Sequence, residues 1–280
     1  MVKYHKKYFL VFVLPTLLAF IVAFFVPFLL GIALSFTEFT TVIDAKWVGI
    51  KNYVTAFSNM DFINALLFTV KFAIVSVLTI NFFAFLMALL LTRKIKGTNL
   101  FRTVFFMPNL IGGIVLGYIW QVILNGILFK FGVTITFKPE FGFWGLIILM
   151  NWQMIGYMMV IYIAGLQNIP RDVVEAAKID GAGRFQLLRK ITLPLVMPSV
   201  TICLFLTMSN SFKLFDQNLA LTAGAPSRKT TMLALDIYNT FYGSVGSEGI
   251  GQAKAVVFTL IVAFVAIVQL RLTRKKEVEN

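Results

Sequence analysis

The stretch PRDVVEAAKIDGAGRFQLLRKITLPLVMP, residues 170–198, is polar and basic, lies between long apolar runs, and carries helix-start, stop and restart chemistry within itself. Pro170 can start a helix, since the N–H it lacks is one of the donors a first turn leaves unbonded, and Asp172 suits the positive N-terminal end. Val173, Val174, Glu175, Ala176, Ala177 and Lys178 continue it as a short amphipathic segment, and Gly181 and Gly183 stop it. The small alanines let another surface approach closely, while Glu175, Asp180 and Arg184 offer charge-assisted contacts that would lock that approach. Phe185, Leu187 and Leu188 continue an apolar stripe, and Pro194 and Pro198 set the angle at which the chain enters the next apolar run. Taken alone, a helix-glycine-helix pattern fits a solvated linker with an interfacial helix as well as it fits a knob made for a groove.

Outward from this loop, composition fixes the solvent. A mean hydropathy of +0.87, 59% apolar residues and only 13% charged residues leave too little polar surface to cover a soluble domain of 280 residues. A bilayer core of roughly 30 Å takes about 20 apolar residues per helix. Six runs of that kind occur, at approximately 8–36, 64–92, 103–128, 141–167, 195–219 and 251–272. The first has a basic flank like that of a signal peptide, but its apolar stretch is too long and no small-residue cleavage pattern follows, so it is expected to be a retained anchor. The expected fold class is an all-α integral membrane protein with six transmembrane helices, a single domain over residues 1–280 without internal repeat.

Charge then orients the chain. Sixteen of the 25 basic residues fall on one side: Lys3, Lys6 and Lys7; Arg93, Lys94, Lys96 and Arg102; Arg171, Lys178, Arg184, Arg189 and Lys190; Arg271, Arg274, Lys275 and Lys276. Eight fall on the other, and Lys71 lies within the second run, where snorkelling outward is the simplest role. Both termini and the 170–198 loop are therefore expected on the cytoplasmic side, with the chain multi-pass in the membrane. The net charge of +13 follows from this asymmetry, and no nucleic-acid-binding module accompanies it.

Inventory excludes several chemistries. The single histidine, His5, lies in the basic tail, so neither a histidine-based metal site nor a Ser-His-Asp triad or Cys-His pair can be assembled. No Gly-Lys dipeptide occurs, which removes the phosphate-cradling Walker A loop, so any ATP must be hydrolysed by another chain. Cys203 stands alone in an apolar run and cannot form an internal disulfide.

Glu175-Ala176-Ala177, Asp180-Gly181-Ala182 and Ile191-Thr192-Leu193-Pro194 resemble the EAA loop of permease subunits from binding-protein-dependent ABC importers. The resemblance extends over nearly the whole chain to the carbohydrate-uptake group of maltose and multiple-sugar permeases, through Leu166-Gln167-Asn168-Ile169-Pro170, Ser211-Phe212-Lys213-Leu214-Phe215-Asp216 and Leu221-Thr222-Ala223-Gly224-Ala225-Pro226. Ala225 departs from the pattern, where the family often has a further glycine. The ending Arg274-Lys275-Lys276-Glu277, without a Gly-rich tail, resembles the first of the two permease types used by sugar systems. The resemblance implies the type I importer permease fold and a set of partners: a second homologous permease subunit, two copies of a cytoplasmic ATPase that use ATP and Mg, an extracellular solute-binding protein, a sugar, and membrane lipid, with no nucleic acid. It also makes the helix carrying Glu175 to Asp180 a coupling helix, continued by Gly183, Arg184 and Phe185, that passes ATPase motion to the spans.

The pathway is expected among polar groups inside apolar spans, where hydrocarbon makes each of them costly. In the third run Tyr118, Gln121 and Asn125 share one helix face, and in the fifth Asn210, Lys213 and Gln217 repeat that spacing with Ser209, Phe212 and Asp216 on the adjoining face. Asn151, Trp152 and Gln153 interrupt the fourth. Amides and carboxylates suit sugar hydroxyls, and Trp120 or Trp152 a sugar's C–H face, but amides also join membrane helices, and aromatic rings pack. Lys213 and Asp216 fit a structural ion pair as well as a ligand role. Two other readings stay open from sequence: an ion-coupled secondary transporter using Asp216 or Lys71 as its charge relay, and a permease for another solute such as a glycerol phosphate. A scaffold or sensor that transports nothing is the blandest reading.

Overall fold

The computed structural model describes residues 12–93, 96–275 and 277. Lys3, His5, Lys6, Lys7, Lys94, Lys276 and the start of the first apolar run lie outside the described residues. In chain order the helices are α1 (Leu14–Leu34), α2 (Lys51–Ser58), α3 (Met60–Leu91), α4 (Thr98–Phe106), α5 (Gly113–Leu128), α6 (Pro139–Gln167), α7 (Arg171–Ile179), α8 (Arg184–Leu195), α9 (Met197–Phe212), α10 (Asp216–Leu221), α11 (Leu233–Gly243) and α12 (Glu248–Arg274). Five helices are long and apolar enough to cross a bilayer, and the bent pair α8 and α9 makes a sixth.

Contacts divide the chain into two compact units, residues 1–60 with 237–260, and residues 61–236 with 261–280. In the first unit a two-stranded antiparallel hairpin, β1 (Thr37–Glu38) and β2 (Lys46–Trp47), follows α1. Buried Asn52 on α2 fixes the chain there by donating to the carbonyls of Ser35 at 3.0 Å and Thr37 at 2.8 Å. At the hairpin turn the Asp44 carboxylate accepts from the N–H groups of Thr41 and Thr40, which holds its pKa below the usual carboxylate value. Phe20, Phe24 and Phe28 stack at four-residue spacing along an exposed face of α1, as lipid-facing rings do.

The second unit is built around α6, the most buried of the spans. Leu146, Leu149, Met150, Met158 and Met159 of α6 share one core with Phe72 and Ile80 of α3, Leu116 of α5 and Cys203 of α9. Polar links pin the same helices together: Tyr162 donates to Asn81 Oδ1 at 2.7 Å, and Asn81 Nδ2 to Thr207 Oγ1 at 2.9 Å. In hydrocarbon such bonds have no water to compete with them, so they fix helix register as well as proximity. Small residues allow closer approach still. A Cβ at Gly117 would meet that of Ala220 at 2.5 Å, and one at Gly156 would fall on the Phe105 carbonyl.

Four of the six apolar runs become helices with ends shifted by a few residues, and two do not behave as read. The expected third span, 103–128, breaks into α4, a 3-10 turn at Met107–Leu110, an extended Ile111, and α5. Pro108 has no N–H to carry an α-helix through, and Gly112 and Gly113 favour a fresh start. The expected fifth span, 195–219, bends by 69° at Val196, between Pro194 and Pro198, and stops at Phe212. A π-helical turn at Leu188–Thr192 precedes Pro194, as one at Ile21–Phe25 precedes Pro27. The widened turn relieves the crowding that a proline ring imposes on the carbonyl four residues back.

Candidate functional site

The 170–198 loop is built by local chemistry. Pro170 is the extended N-cap residue of α7, with ψ of 134°, and Asp172 lies in the first turn and Lys178 in the last, matching the helix dipole at both ends. The helix ends in a Schellman turn: Gly181 N–H donates to the Lys178 carbonyl at 3.1 Å, and Ala182 N–H to the Ala177 carbonyl at 2.9 Å. Gly181 takes φ of +81°, the left-handed conformation that the turn requires. Gly183 acts differently from the expectation that both glycines stop α7. It is the extended N-cap of α8, with φ of −67°, and its N–H donates to Gln186 Oε1 at 3.0 Å. Two short helices thus meet at a fixed corner.

Ala177 is the buried contact of α7, whereas Glu175, Ala176, Asp180, Arg184 and Phe185 are exposed. Ile179 is 86% exposed and Phe185 72%, on a segment whose neighbours are charged. Glu175, Asp180 and Arg184 have no ion-pair partner among the described residues. Apolar tips between unpaired charges form a surface that fits another protein better than it fits water.

A cavity of about 410 Å³ in the second unit collects the other expected group. Asn109, Gln153, Tyr157, Asn210, Lys213 and Gln217 line it, with Met150, Met154, Leu206 and Leu214 as its apolar walls. Gln217 Nε2 donates to Gln153 Oε1 at 2.9 Å, joining α10 to α6 across it. Asn210 Nδ2 donates to the Leu206 carbonyl at 2.8 Å, which leaves its second N–H and its oxygen for another partner. Lys213 is exposed at the C-terminal cap of α9. The grouping does not arise from the i, i+3, i+7 face read from sequence, since α9 ends before Lys213; the turn at 213–215 folds Gln217 back toward Gln153 instead.

The remaining expected pathway residues lie outside this cavity. Asn151 Nδ2 donates to Thr79 Oγ1 at 2.9 Å and to the Ile147 carbonyl at 2.8 Å, an interhelical tie between α6 and α3. Gln121 Nε2 donates to the Leu221 carbonyl at 3.0 Å, and Asn125 Oδ1 accepts from Ile135 N–H at 2.8 Å. Trp152 packs edge-on against Trp120, with centroids 5.6 Å apart, and Tyr118 is exposed on α5. Asp216 forms no ion pair with Lys213; it lies over Gly113, where a Cβ would meet its own at 2.7 Å, at the favourable positive end of α5. Lys71 stands 4.7 Å from the centre of the Phe143 ring, a cation–π contact that neither the snorkelling nor the charge-relay reading of the sequence contained. Asn109 and Tyr157 were not anticipated. The signal for Asn109 was Pro108 beside it inside an apolar run; Tyr157, in the apolar stretch of α6 that follows Gln153, gave none. No group of His, Cys, Asp and Glu able to hold a metal occurs among the described residues.

The model of the family described as "Binding-protein-dependent transport system inner membrane component" matches residues 96–278. A probable starch degradation products transport system permease protein, AmyD of Thermoanaerobacterium thermosulfurigenes, is 45% identical over 96% of this chain and 94% of its own. The trehalose/maltose transport system permease protein MalF of Thermococcus litoralis is 31% identical over 94% of this chain and 92% of its own. Among solved structures, a chain of a bacterial ABC transporter involved in the import of the acidic polysaccharide alginate superposes with a TM-score of 0.81 at 22% identity, covering 98% of each chain.

Proposed function

The chain belongs to the family of binding-protein-dependent transport system inner membrane components, and on that footing we propose that it forms half of the translocation path of an ATP-driven sugar importer. It is a transport subunit, not an enzyme. Its partners in this reading are a second homologous permease, two cytoplasmic ATPase subunits that use ATP and Mg, and an external solute-binding protein. The observation that carries the reading is α7, a short helix closed by the Gly181 turn and presenting unpaired Glu175 and Asp180 beside exposed Ile179 and Phe185. Such a rigid corner transmits displacement, whereas a flexible linker would absorb it. In this reading both termini share the cytoplasmic side with the loop, which the basic flanks support.

Sugar as the cargo is supported by the names of the relatives and by the 109/153/157/210/213/217 cavity, whose amides and phenol suit hydroxyl groups. Starch-derived oligosaccharides are the first class to test. An ion-coupled relay has nothing in its favour here, since Asp216 lies against Gly113 and Lys71 over Phe143. In proteoliposomes holding the whole complex, short maltooligosaccharides on the binding protein should stimulate ATP hydrolysis and accumulate inside. Stimulation by glycerol phosphate and by no sugar would overturn the cargo assignment. Asn210→Ala should lower the transport rate about fivefold, one hydrogen bond's worth, with an unchanged melting midpoint. Unaltered kinetics would take Asn210 out of the path. Glu175 has no ion-pair partner to lose among the described residues, so Glu175→Lys should leave the chain's melting unchanged and reduce uptake roughly tenfold through the ATPase contact. Normal uptake in that variant would count against α7 as the coupling element.

A further inference from the structure

We propose that the chain holds an anionic phospholipid in a groove running from the coupling corner into the membrane, with the lipid phosphate between Arg93 and Arg184. Two cavities carry this. The outer one, about 470 Å³, is lined by Arg93 and Arg184 with Leu89, Phe185, Leu188 and Thr192. The inner one, about 320 Å³, shares Leu89 and Leu188 with it and continues along Phe82, Phe85 and Leu86 of α3 and Val200 of α9. The two adjoin at these shared residues and together make a trough that is basic at its mouth and, apart from Asn81 and Tyr162, which bond each other, apolar beyond it.

The mouth lies where a headgroup would. Helix α3 is apolar to its end at Leu91, and Arg93 follows at once, so the guanidinium sits at the boundary between hydrocarbon and headgroups. Among the described residues no carboxylate lines either cavity, and neither Arg93 nor Arg184 has an ion pair. Two arginines lining one cavity without a carboxylate make its mouth basic, and a phosphodiester bound there would neutralise that charge while accepting their forked N–H donors. An inorganic anion would satisfy the mouth and leave the trough empty; a neutral lipid would fill the trough and leave the arginines uncompensated. A phospholipid of net negative charge satisfies both. The trough also joins α3 to α8, the helix that leads from the coupling corner to the membrane, so an occupied groove would stiffen that connection. This last consequence rests on the coupling role proposed for α7 and α8, whereas lipid binding itself does not.

The test uses the purified complex with its ATPase subunits, in micelles containing equal phosphatidylglycerol and phosphatidylcholine, and native mass spectrometry. Wild type should retain phosphatidylglycerol over phosphatidylcholine, and the double variant Arg93→Gln with Arg184→Gln should lose that preference roughly tenfold. Should the double variant fail to assemble, a photoactivatable phosphatidylglycerol with its reactive group on the acyl chain decides on wild type alone, and should mark peptides from 82–89 and 193–200. Equal retention of both lipids, displacement of phosphatidylglycerol by inorganic phosphate, marking confined to other peptides, or cross-linking of Arg93 and Arg184 to acidic residues of the ATPase in place of lipid would each overturn the proposal. Retention by the wild type with unaltered ATPase coupling in the double variant would keep the site and remove its stiffening role.

Discussion

Gly156→Ala is expected to destabilise the purified chain by about 3 kcal/mol or more, the upper end for an overpacked contact. A Cβ on α6 at this position would fall on the carbonyl of Phe105 and lie 2.8 Å from the amide nitrogen of Phe106. The obstacle is backbone, so no rotamer change can relieve it. Helix α4 has little freedom to retreat, because Phe106 packs edge-on against Tyr157 at 6.2 Å, Pro108 is buried, and Arg102 donates to the Leu91 carbonyl at 3.2 Å. Gly165 offers a graded comparison, since the nearest atom there is the Ser199 hydroxyl, which can turn aside and leaves the tight Ser199 Cβ at 2.9 Å. Gly126 is the control: nothing lies within 4 Å of its missing Cβ, and alanine there should stabilise the helix by up to about 1 kcal/mol. Thermal midpoints in detergent separate the three. If Gly156→Ala and Gly126→Ala melted together, the close approach of α4 to α6 would be wrong. Asn109 follows α4 within three residues, so forcing that helix outward should also open the polar cavity and cost transport.

The corner between α7 and α8 was legible because each of its determinants is local. A proline before an acidic first turn, alanines in the middle, and a glycine after the last turn make one short helix whatever surrounds it. Even so, Gly183 was read as a second stop, since spacing alone does not separate a residue that leaves one helix from a residue that begins the next. The cavity was legible only in part. Gln153, Asn210, Lys213 and Gln217 stood out as costly polar groups in apolar runs, but the helical face assigned to the last three assumed a helix through 219. Nothing in Lys213-Leu214-Phe215-Asp216 breaks a helix by itself. The break comes from tertiary packing, with Leu214 buried in the core and Asp216 seated over Gly113, and no single-helix pattern contains that information. Asn151 and Gln121 show the reverse: their amides look like ligand groups in sequence and are used to join helices.

Gly181→Pro is expected to abolish the link between ATP hydrolysis and uptake. Proline fixes φ near −65°, whereas Gly181 sits at +81°, and it deletes the N–H that bonds the Lys178 carbonyl at 3.1 Å. The combined cost of about 3 kcal/mol shifts the closed turn against open alternatives by roughly a hundredfold. Helix α7 would then lose its fixed angle to α8, and motion imposed on Glu175 or Ile179 would be taken up in the loop before reaching Leu195. The expected result in proteoliposomes is ATP hydrolysis that continues with little accumulation of solute, in a complex that still docks its external binding protein. Gly181→Asn separates conformation from the mere presence of a side chain, because asparagine tolerates the left-handed region and keeps its N–H, so most of the uptake should survive. Gly183→Ala should be nearly silent, as φ there is −67° and the closest atom to a new Cβ is Gln186 Oε1 at 3.9 Å. Proline at 181 with normal uptake, or asparagine as damaging as proline, would mean that the angle at this corner is not what carries the stroke.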